Sequence, residues 1–206
     1  MLSILTAMNS FSPTPTERAL PGYRQVLYWR LTEQQRALVL LSLASIVLLV
    51  AGHLALNWLL TTLRPTAMGD LGSGWRILNL VLAFVLTIVL HEAVHGAVMA
   101  AFGANPQFGI LWHLGAAYAT APGFAFTRTQ FLLVALAPLV VLGVIGILAL
   151  LTLPPFGAQL AQTLVLLNTA GAVGDLAMSA LVLRYPPNIM VMDEMDGIRI
   201  FVPEPV

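Results

Sequence analysis

The sequence predicts an all-α membrane protein, with four transmembrane helices, a short hairpin loop after the second helix, and a small β element formed by the termini. Composition is the first reason, because the 206-residue chain is 59% hydrophobic and 9% charged, with a mean hydropathy of +0.89. A soluble domain carries about 25% charged residues. The second reason is a set of four apolar runs, each long enough to cross a hydrocarbon core of about 30 Å. The formal net charge is zero, which gives no indication of nucleic-acid binding.

The predicted spans cover about residues 37–60, 75–102, 130–153 and 158–183. Pro138 lies inside the third run, where a proline predicts a kink in the helix. After the fourth run the chain becomes more polar and forms a tail at 184–206. We expect residues 1–206 to form a single integral-membrane domain.

The loop after the second span, residues 103–129, is too rich in glycine and proline for a long helix. Two β-prone stretches within it, 108–113 and 116–120, predict a short hairpin.

A second β element is predicted from the two ends of the chain. Residues 189–193 and 198–202 flank an Asp-Gly pair, which is a strong hairpin signal. The stretch from Tyr23 to Leu31 reads either as a strand or as an amphipathic segment at the lipid headgroups. We expect it to join the tail hairpin in one small sheet that buries Val26, Tyr28, Val191 and Ile200.

Arginine placement predicts the orientation of the chain. With four spans, the N-terminal segment, the 103–129 loop and the tail lie on one side of the membrane. That side carries seven of the nine basic residues, and Arg64 and Arg76 lie on the other. Because positive residues favour the cytoplasmic side, both termini are predicted to be cytoplasmic in a bacterial or archaeal plasma membrane.

One polar motif interrupts the second span. His91, Glu92 and His95 form the pattern H-E-x-x-H, and residues four apart project from the same face of a helix. Two neutral imidazoles at that spacing can hold one zinc ion, and the glutamate can take a proton from water. The structural alternative is a polar patch that hydrogen-bonds helices to each other. Ionisable residues inside membrane spans are costly and usually functional, which favours the metal site.

A catalytic zinc normally takes three protein ligands, so a third is needed. The candidates are His53, His113 and Asp175. His91 and Asp175 both lie ~25 Å along spans that run from outside to inside, which places them at one depth in the cytoplasmic half. His53 is predicted ~10 Å or more nearer the outer face, as a buried hydrogen-bonding histidine. His113 lies in the loop, either at the site entrance, where it would contact substrate, or as an ordinary interfacial histidine.

Asp175 is the acid of the fourth span, and a lone carboxylate there needs a cation or a proton. Asn168 precedes it by two helical turns on the same face and is expected to hydrogen-bond Asp175 or to bind an extended substrate. Gly171 and Gly174 are expected to permit close packing of this helix on the histidine helix.

These residues resemble the site-2 protease family of intramembrane zinc metalloproteases, and more closely a family of small integral-membrane zincins. The resemblance covers about residues 75–185 and includes the Gly174-Asp175 pair. It implies that His91, His95 and Asp175 hold Zn²⁺ and that Glu92 is the catalytic base. The chain departs from the usual site-2 pattern after Asn168 and after Asp175, which is followed by Leu176.

The function predicted from these observations is an intramembrane zinc metalloendopeptidase. Its partners would be the lipid bilayer and a membrane protein or peptide substrate. The alternative is a non-catalytic membrane protein that keeps a structural metal site and binds a partner through its cytoplasmic termini.

Overall fold

The structure is a computed structural model and describes residues 20–68, 72–112, 116–195 and 197–205. Within these ranges the fold is mostly helical, with a small β-sheet and a separate β-hairpin. In chain order the elements are β1 (Tyr23–Arg30), α1 (Gln35–Leu63), α2 (Ser73–Ala101), β2 (Gln107–Leu111), β3 (Ala116–Thr120), β4 (Ala125–Thr127), α3 (Arg128–Thr152), α4 (Pro155–Gly171), α5 (Val173–Val182), β5 (Met190–Glu194) and β6 (Gly197–Pro203).

Among the described residues, four helical segments are long and apolar enough to cross a membrane. Their bounds, at Gln35–Leu63, Ser73–Ala101, Arg128–Thr152 and Pro155–Val182, agree with the predicted spans to within a few residues. Large apolar side chains on these helices are exposed, including Val47 (64%), Trp58 (70%) and Ile77 (68%). Exposed apolar area of this extent is typical of surfaces that meet lipid or another protein.

The fourth apolar segment differs from the prediction of one continuous helix. It is interrupted at Ala172, which separates α4 from α5. The backbone N–H of Ala172 still bonds the carbonyl of Asn168 at 3.0 Å, and α5 then starts afresh at Val173. Asp175 therefore lies in the first turn of a helix, where the helix dipole favours a negative charge.

The predicted sheet from the two ends of the chain is confirmed. Its strand order is β1-β6-β5-β4, and every neighbouring pair is antiparallel. The tail hairpin joins β5 to β6, with Glu194 opposite Gly197; Asp196, from the predicted Asp-Gly turn, lies outside the described residues. The fourth strand, β4, was not predicted, because three residues in a glycine-rich and proline-rich loop give no periodic signal.

The side chains that β1 buries were predicted incorrectly. Val191 and Ile200 are fully buried, as expected, but Val26 and Tyr28 are only partly buried. Leu27 (5% exposed) and Trp29 (2%) face the core instead. The reason is a shift of register between Gln25 and Leu27, a β-bulge that leaves Val26 without a partner on β6 and changes which side chains face inward.

The predicted loop hairpin is confirmed as β2 paired with β3, from Gln107 opposite Thr120 to Leu111 opposite Ala116. His113 lies outside the described residues, so its predicted place at the site entrance stays a prediction.

The chain divides into two compact units, and each boundary falls inside a continuous helix. The first unit comprises the residues up to Ser42, His95–Leu136 and Gly174–Val206. Its core includes Trp29, Met99, Phe126, Val191 and Ile200.

The second unit comprises Leu43–Val94 and Ala137–Val173. Its core consists of small clusters around Leu60 and Leu150 and around Leu56 and Val165.

Close helix packing at Gly171 and Gly174 was predicted incorrectly. A Cβ atom at either position would meet nothing within 4 Å. The close approaches lie at Gly52, where a Cβ would lie 3.1 Å from Leu166, and at Gly146, where it would collide with Val165.

Candidate metal centre

Three predicted metal ligands lie together in the structure. Each of His91, His95 and Asp175 offers one ligand atom, and these atoms all lie within 4.8 Å of one another. His91 and His95 are one turn apart on α2, and Asp175 comes from α5. His95 is buried, and the other two side chains are partly buried. These three residues form a group that can bind a metal ion.

The ring orientation of His95 is fixed by a backbone carbonyl. Its Nδ1 lies 2.9 Å from the carbonyl oxygen of Val134 on α3. Because a carbonyl oxygen can only accept, Nδ1 must carry the hydrogen and donate it. The other ring nitrogen, Nε2, lies 3.5 Å from Oδ1 of Asp175 and is left as the metal-binding atom.

The ring orientation of His91 is fixed in the same way, through one intermediate residue. The side-chain Nδ2 of Asn168 donates to the carbonyl of Pro138 at 3.1 Å, which fixes which end of the amide is oxygen. That oxygen, Oδ1, then lies 2.9 Å from Nδ1 of His91 and accepts its hydrogen. Both histidines are therefore held in the tautomer that presents Nε2 to a metal.

The donor set fits zinc in type, and one pair of its atoms fits zinc in spacing. Zn–N and Zn–O bonds of about 2.1 Å in a tetrahedral site place two ligand atoms ~3.4 Å apart. The observed 3.5 Å between Nε2 of His95 and Oδ1 of Asp175 matches that separation. Two imidazoles and one carboxylate are also the ligand types found in catalytic zinc sites that keep one position open.

Glu92 follows His91 directly on α2 and is partly buried. Its role as a base stays a prediction from the motif.

Asn168, by contrast, has a partner other than the expected ones. It is 2% exposed, and its amide bonds His91 and the Pro138 carbonyl. This contact positions a metal ligand, and the predicted contact with substrate stays untested.

His53 is not part of the metal group, as the depth argument predicted. Its Nε2 lies 2.8 Å from Nδ2 of Asn57, whose Oδ1 accepts from Gln162 at 2.9 Å. The hydrogen-bonding role is therefore confirmed, but the predicted burial is wrong, because the His53 side chain is exposed. It lies on a face of α1 that carries other exposed residues, such as Val50.

Asp193 is a further acidic residue near the centre, and sequence reasoning missed it. It lies on β5, where the hydroxyl of Thr120 donates to its backbone carbonyl at 3.1 Å, and its side-chain Oδ2 is buried without a hydrogen-bond partner. Burial raises the pKa of Asp193 to about 8, whereas a hydrogen bond from Thr120 and the nearby His95 lower it and Asp175 raises it. The signal available in the sequence was an acid that directly follows the apolar residues 190–192 of a β-prone run.

The β2–β3 hairpin lies against the turn of α2 that carries His95. A Cβ atom at Gly96 would collide with the ring of Phe108 on β2. A glycine directly after the second histidine therefore allows this hairpin to approach the helix. Phe108 remains 58% exposed, and Ile110 and Trp112 beside it are 50% and 83% exposed.

Two orientated imidazoles one helical turn apart, a carboxylate from a later helix and a neighbouring glutamate are the equipment of a zinc-dependent peptidase. Comparison with known families agrees with this class. Residues 84–190, just over half of the chain, match the family described as "Putative zincin peptidase". The chain belongs to this family, and zinc is the cofactor that the family and the His91, His95 and Asp175 group imply together.

One curated relative is similar to most of the chain. The chain is similar to a protein of Pyrococcus woesei named "Uncharacterized 24.7 kDa protein in gap 5'region", with 28% identity over 156 residues. That match covers 75% of this chain and 65% of the relative, so the chain spans less than two thirds of the relative's length. No solved structure matches the chain.

Proposed function

We propose that this protein is an intramembrane zinc metalloendopeptidase that cleaves membrane-embedded or membrane-proximal segments of proteins. The observation that carries the proposal is the position of the metal group on helices that are long and apolar enough to cross a bilayer. His91 and His95 lie on one such helix, and Asp175 lies on another. In this proposal the lipid bilayer surrounds the apolar helices. Residues 1–206 act as one integral-membrane domain.

In this proposal His91, His95 and Asp175 hold the metal, which when bound polarises a carbonyl group and makes water more acidic. Glu92 takes the proton from the attacking water and passes it to the leaving amine, as a general base and then a general acid. The outer hydrogen bonds of His91 and His95 keep both rings in place during the reaction.

The substrate must expose a peptide bond, because a helix hides its carbonyls in hydrogen bonds. Within the part of the chain that the structure describes, the β2–β3 hairpin is a sheet of two strands, and we expect an extended segment to pair with one of its outer edges. The hairpin packs on Gly96, next to His95, which supports the binding of an extended substrate close to the proposed chemistry. Asn168 and His113 remain candidates for contacts with that segment.

The arginine distribution supports cytoplasmic termini, and with them a metal centre in the cytoplasmic half of a bacterial or archaeal plasma membrane. Water then reaches the site from the cytoplasm. A relation to the site-2 proteases is supported by the motif and by the later Asn168 and Asp175, and it is part of this proposal.

The second candidate is a non-catalytic membrane protein that keeps the metal for structure and binds a partner through its termini. The observation that favours it is the sheet that pairs Tyr23–Arg30 with Gly197–Pro203, because it forms one surface from the two segments. Glu92 argues against it, because a structural metal site needs no base. A site closed by four protein ligands would favour it.

The test uses purified protein in detergent with model single-span membrane proteins as substrates, and mass spectrometry of the products. Wild type loaded with zinc should cleave at least one substrate, and Glu92→Gln should bind zinc to the same stoichiometry but lose a factor of ~10² to 10⁴ in rate. Normal turnover by Glu92→Gln would contradict the mechanism. Zinc-loaded wild type that leaves every membrane substrate intact would favour the non-catalytic candidate.

A further inference from the structure

The proline inside α3 has a chemical consequence for the metal centre. A residue in a helix donates its N–H to the carbonyl four residues earlier, so residue 138 would normally bond the carbonyl of Val134. Proline has no N–H, and its ring also pushes that carbonyl away from the helix axis. Val134 therefore has a backbone acceptor with no helical donor.

The group that donates a hydrogen bond to the Val134 carbonyl is the imidazole of His95, a proposed metal ligand. Nδ1 of His95 lies 2.9 Å from the Val134 oxygen, and the contact is buried. In a membrane-spanning helix almost every carbonyl is already bonded within the helix, so an available one is rare. The same turn of α3 also serves the other histidine, because the carbonyl of Pro138 accepts from Asn168, and Asn168 bonds His91.

We propose that Pro138 is a positioning residue of the metal centre, which leaves the Val134 carbonyl free to hold His95 in its metal-binding tautomer. This inference rests on the proposed function, because it requires that the centre binds zinc. It gives the kink-forming proline a role beyond helix shape. Loss of an outer hydrogen-bond partner of this kind typically lowers metal affinity 10- to 100-fold.

The proposal makes an unusual prediction for Pro138→Ala. Alanine is the better helix former, so the metal-free protein should unfold at the same or a higher temperature. The restored N–H would compete with His95 for the Val134 carbonyl, so zinc affinity should fall, by about tenfold at the low end of the range for outer partners. Stability and metal affinity should therefore change in opposite directions.

Two further variants separate the effect of the restored N–H on zinc affinity from the effect of helix propensity. Pro138→Gly also restores the N–H but is a poor helix former, and it should weaken zinc binding to the same extent as Pro138→Ala. The matched control is Gly143→Ala on the same helix, where a Cβ would meet nothing within 4 Å. This control raises helix propensity without touching the Val134 carbonyl, and its zinc affinity should equal that of wild type.

Zinc affinity is measured on the purified full-length protein in detergent, by competition with a chromophoric chelator, and unfolding temperatures are measured without metal. Histidine labelled with ¹⁵N gives a second readout, in which His95 of zinc-loaded wild type should carry hydrogen on Nδ1. The proposal is overturned if wild type binds zinc and Pro138→Ala binds it equally well, if Gly143→Ala weakens it as much, or if Nδ1 of His95 carries no hydrogen. If wild type binds no zinc, the proposed function fails together with the role of Pro138. If wild type binds zinc but Pro138→Ala binds it equally well, only the role of Pro138 fails.

Discussion

Replacing Asn168 tests how the structure holds the first histidine. The side chain is 2% exposed, accepts from Nδ1 of His91 at 2.9 Å and donates to the Pro138 carbonyl at 3.1 Å. Asn168→Leu keeps the volume but removes the acceptor of the His91 Nδ1 hydrogen, whereas the Pro138 carbonyl keeps its helical hydrogen bond. Loss of such a bond costs about 1–3 kcal/mol, so the metal-free protein should lose about that much stability. Zinc affinity should fall 10- to 100-fold, because His91 is no longer held.

Asn168→Asp should behave differently. It keeps an oxygen that can accept from His91, and a carboxylate behind a metal-binding histidine is a common arrangement. Zinc affinity should therefore stay within a few-fold of wild type, although the bond to the Pro138 carbonyl is lost. The matched control is Thr163→Val on the same helix, which removes a hydroxyl that bonds the local carbonyl of Gln159 at 3.0 Å.

The assay is a zinc competition titration on the purified protein, combined with thermal unfolding without metal. The reasoning is refuted if Asn168→Leu binds zinc as wild type does. If Asn168 instead binds substrate, Asn168→Leu would keep its zinc affinity and raise KM, so the same variant separates the two roles.

Three further predictions concern the ligands, a buried acid and the topology. Asp175→Ala should lower zinc occupancy at limiting metal concentration, and Asp175→Asn should lower it less because an oxygen donor remains; full occupancy in the alanine variant would identify another third ligand. Since burial raises the pKa of Asp193 from 3.8 to about 8, its ionisation should destabilise the metal-free protein as pH rises through that interval and no further above it. Asp193→Asn should therefore unfold at a higher temperature than wild type at pH 8 but not at pH 4. Reporter fusions at Met1 and Val206 should both report the cytoplasm, and an external signal from either end would remove the depth argument.

The helices and the terminal sheet could be predicted because their signals are local. Apolar runs longer than a bilayer core define the four spans whatever their packing, and the Asp-Gly pair defines the tail hairpin. The bulge at Val26 could not be predicted, because it depends on the register against β6 and not on the residue itself. One shifted residue was enough to exchange Val26 and Tyr28 for Leu27 and Trp29 in the core.

The three residues of the candidate metal group could also be predicted from the sequence, because helical spacing and depth are simple geometry. Their outer partners could not. Asn168 and Asp175 are seven residues apart, which suggested one face of one helix, but the interruption at Ala172 divides them between α4 and α5. The partner of His95 is a backbone carbonyl, which no side-chain pattern reveals. Asp193 lies on a strand whose position depends on the completed sheet.

Irregular backbone is what makes a polar centre possible inside apolar helices. A regular spanning helix uses its N–H and carbonyl groups internally, and the apolar surroundings supply no water to replace them. The described structure departs from regularity at two points next to the metal ligands. At Pro138 a missing N–H leaves the Val134 carbonyl for His95, and at Ala172 a new helix begins whose first turn favours the negative charge of Asp175. The first irregularity supplies a hydrogen-bond acceptor to His95, and the second places Asp175 in the first turn of a helix. A continuous helix at either point would have left a charged or polar side chain without that support, which explains why residues that weaken a helix lie so close to the chemistry.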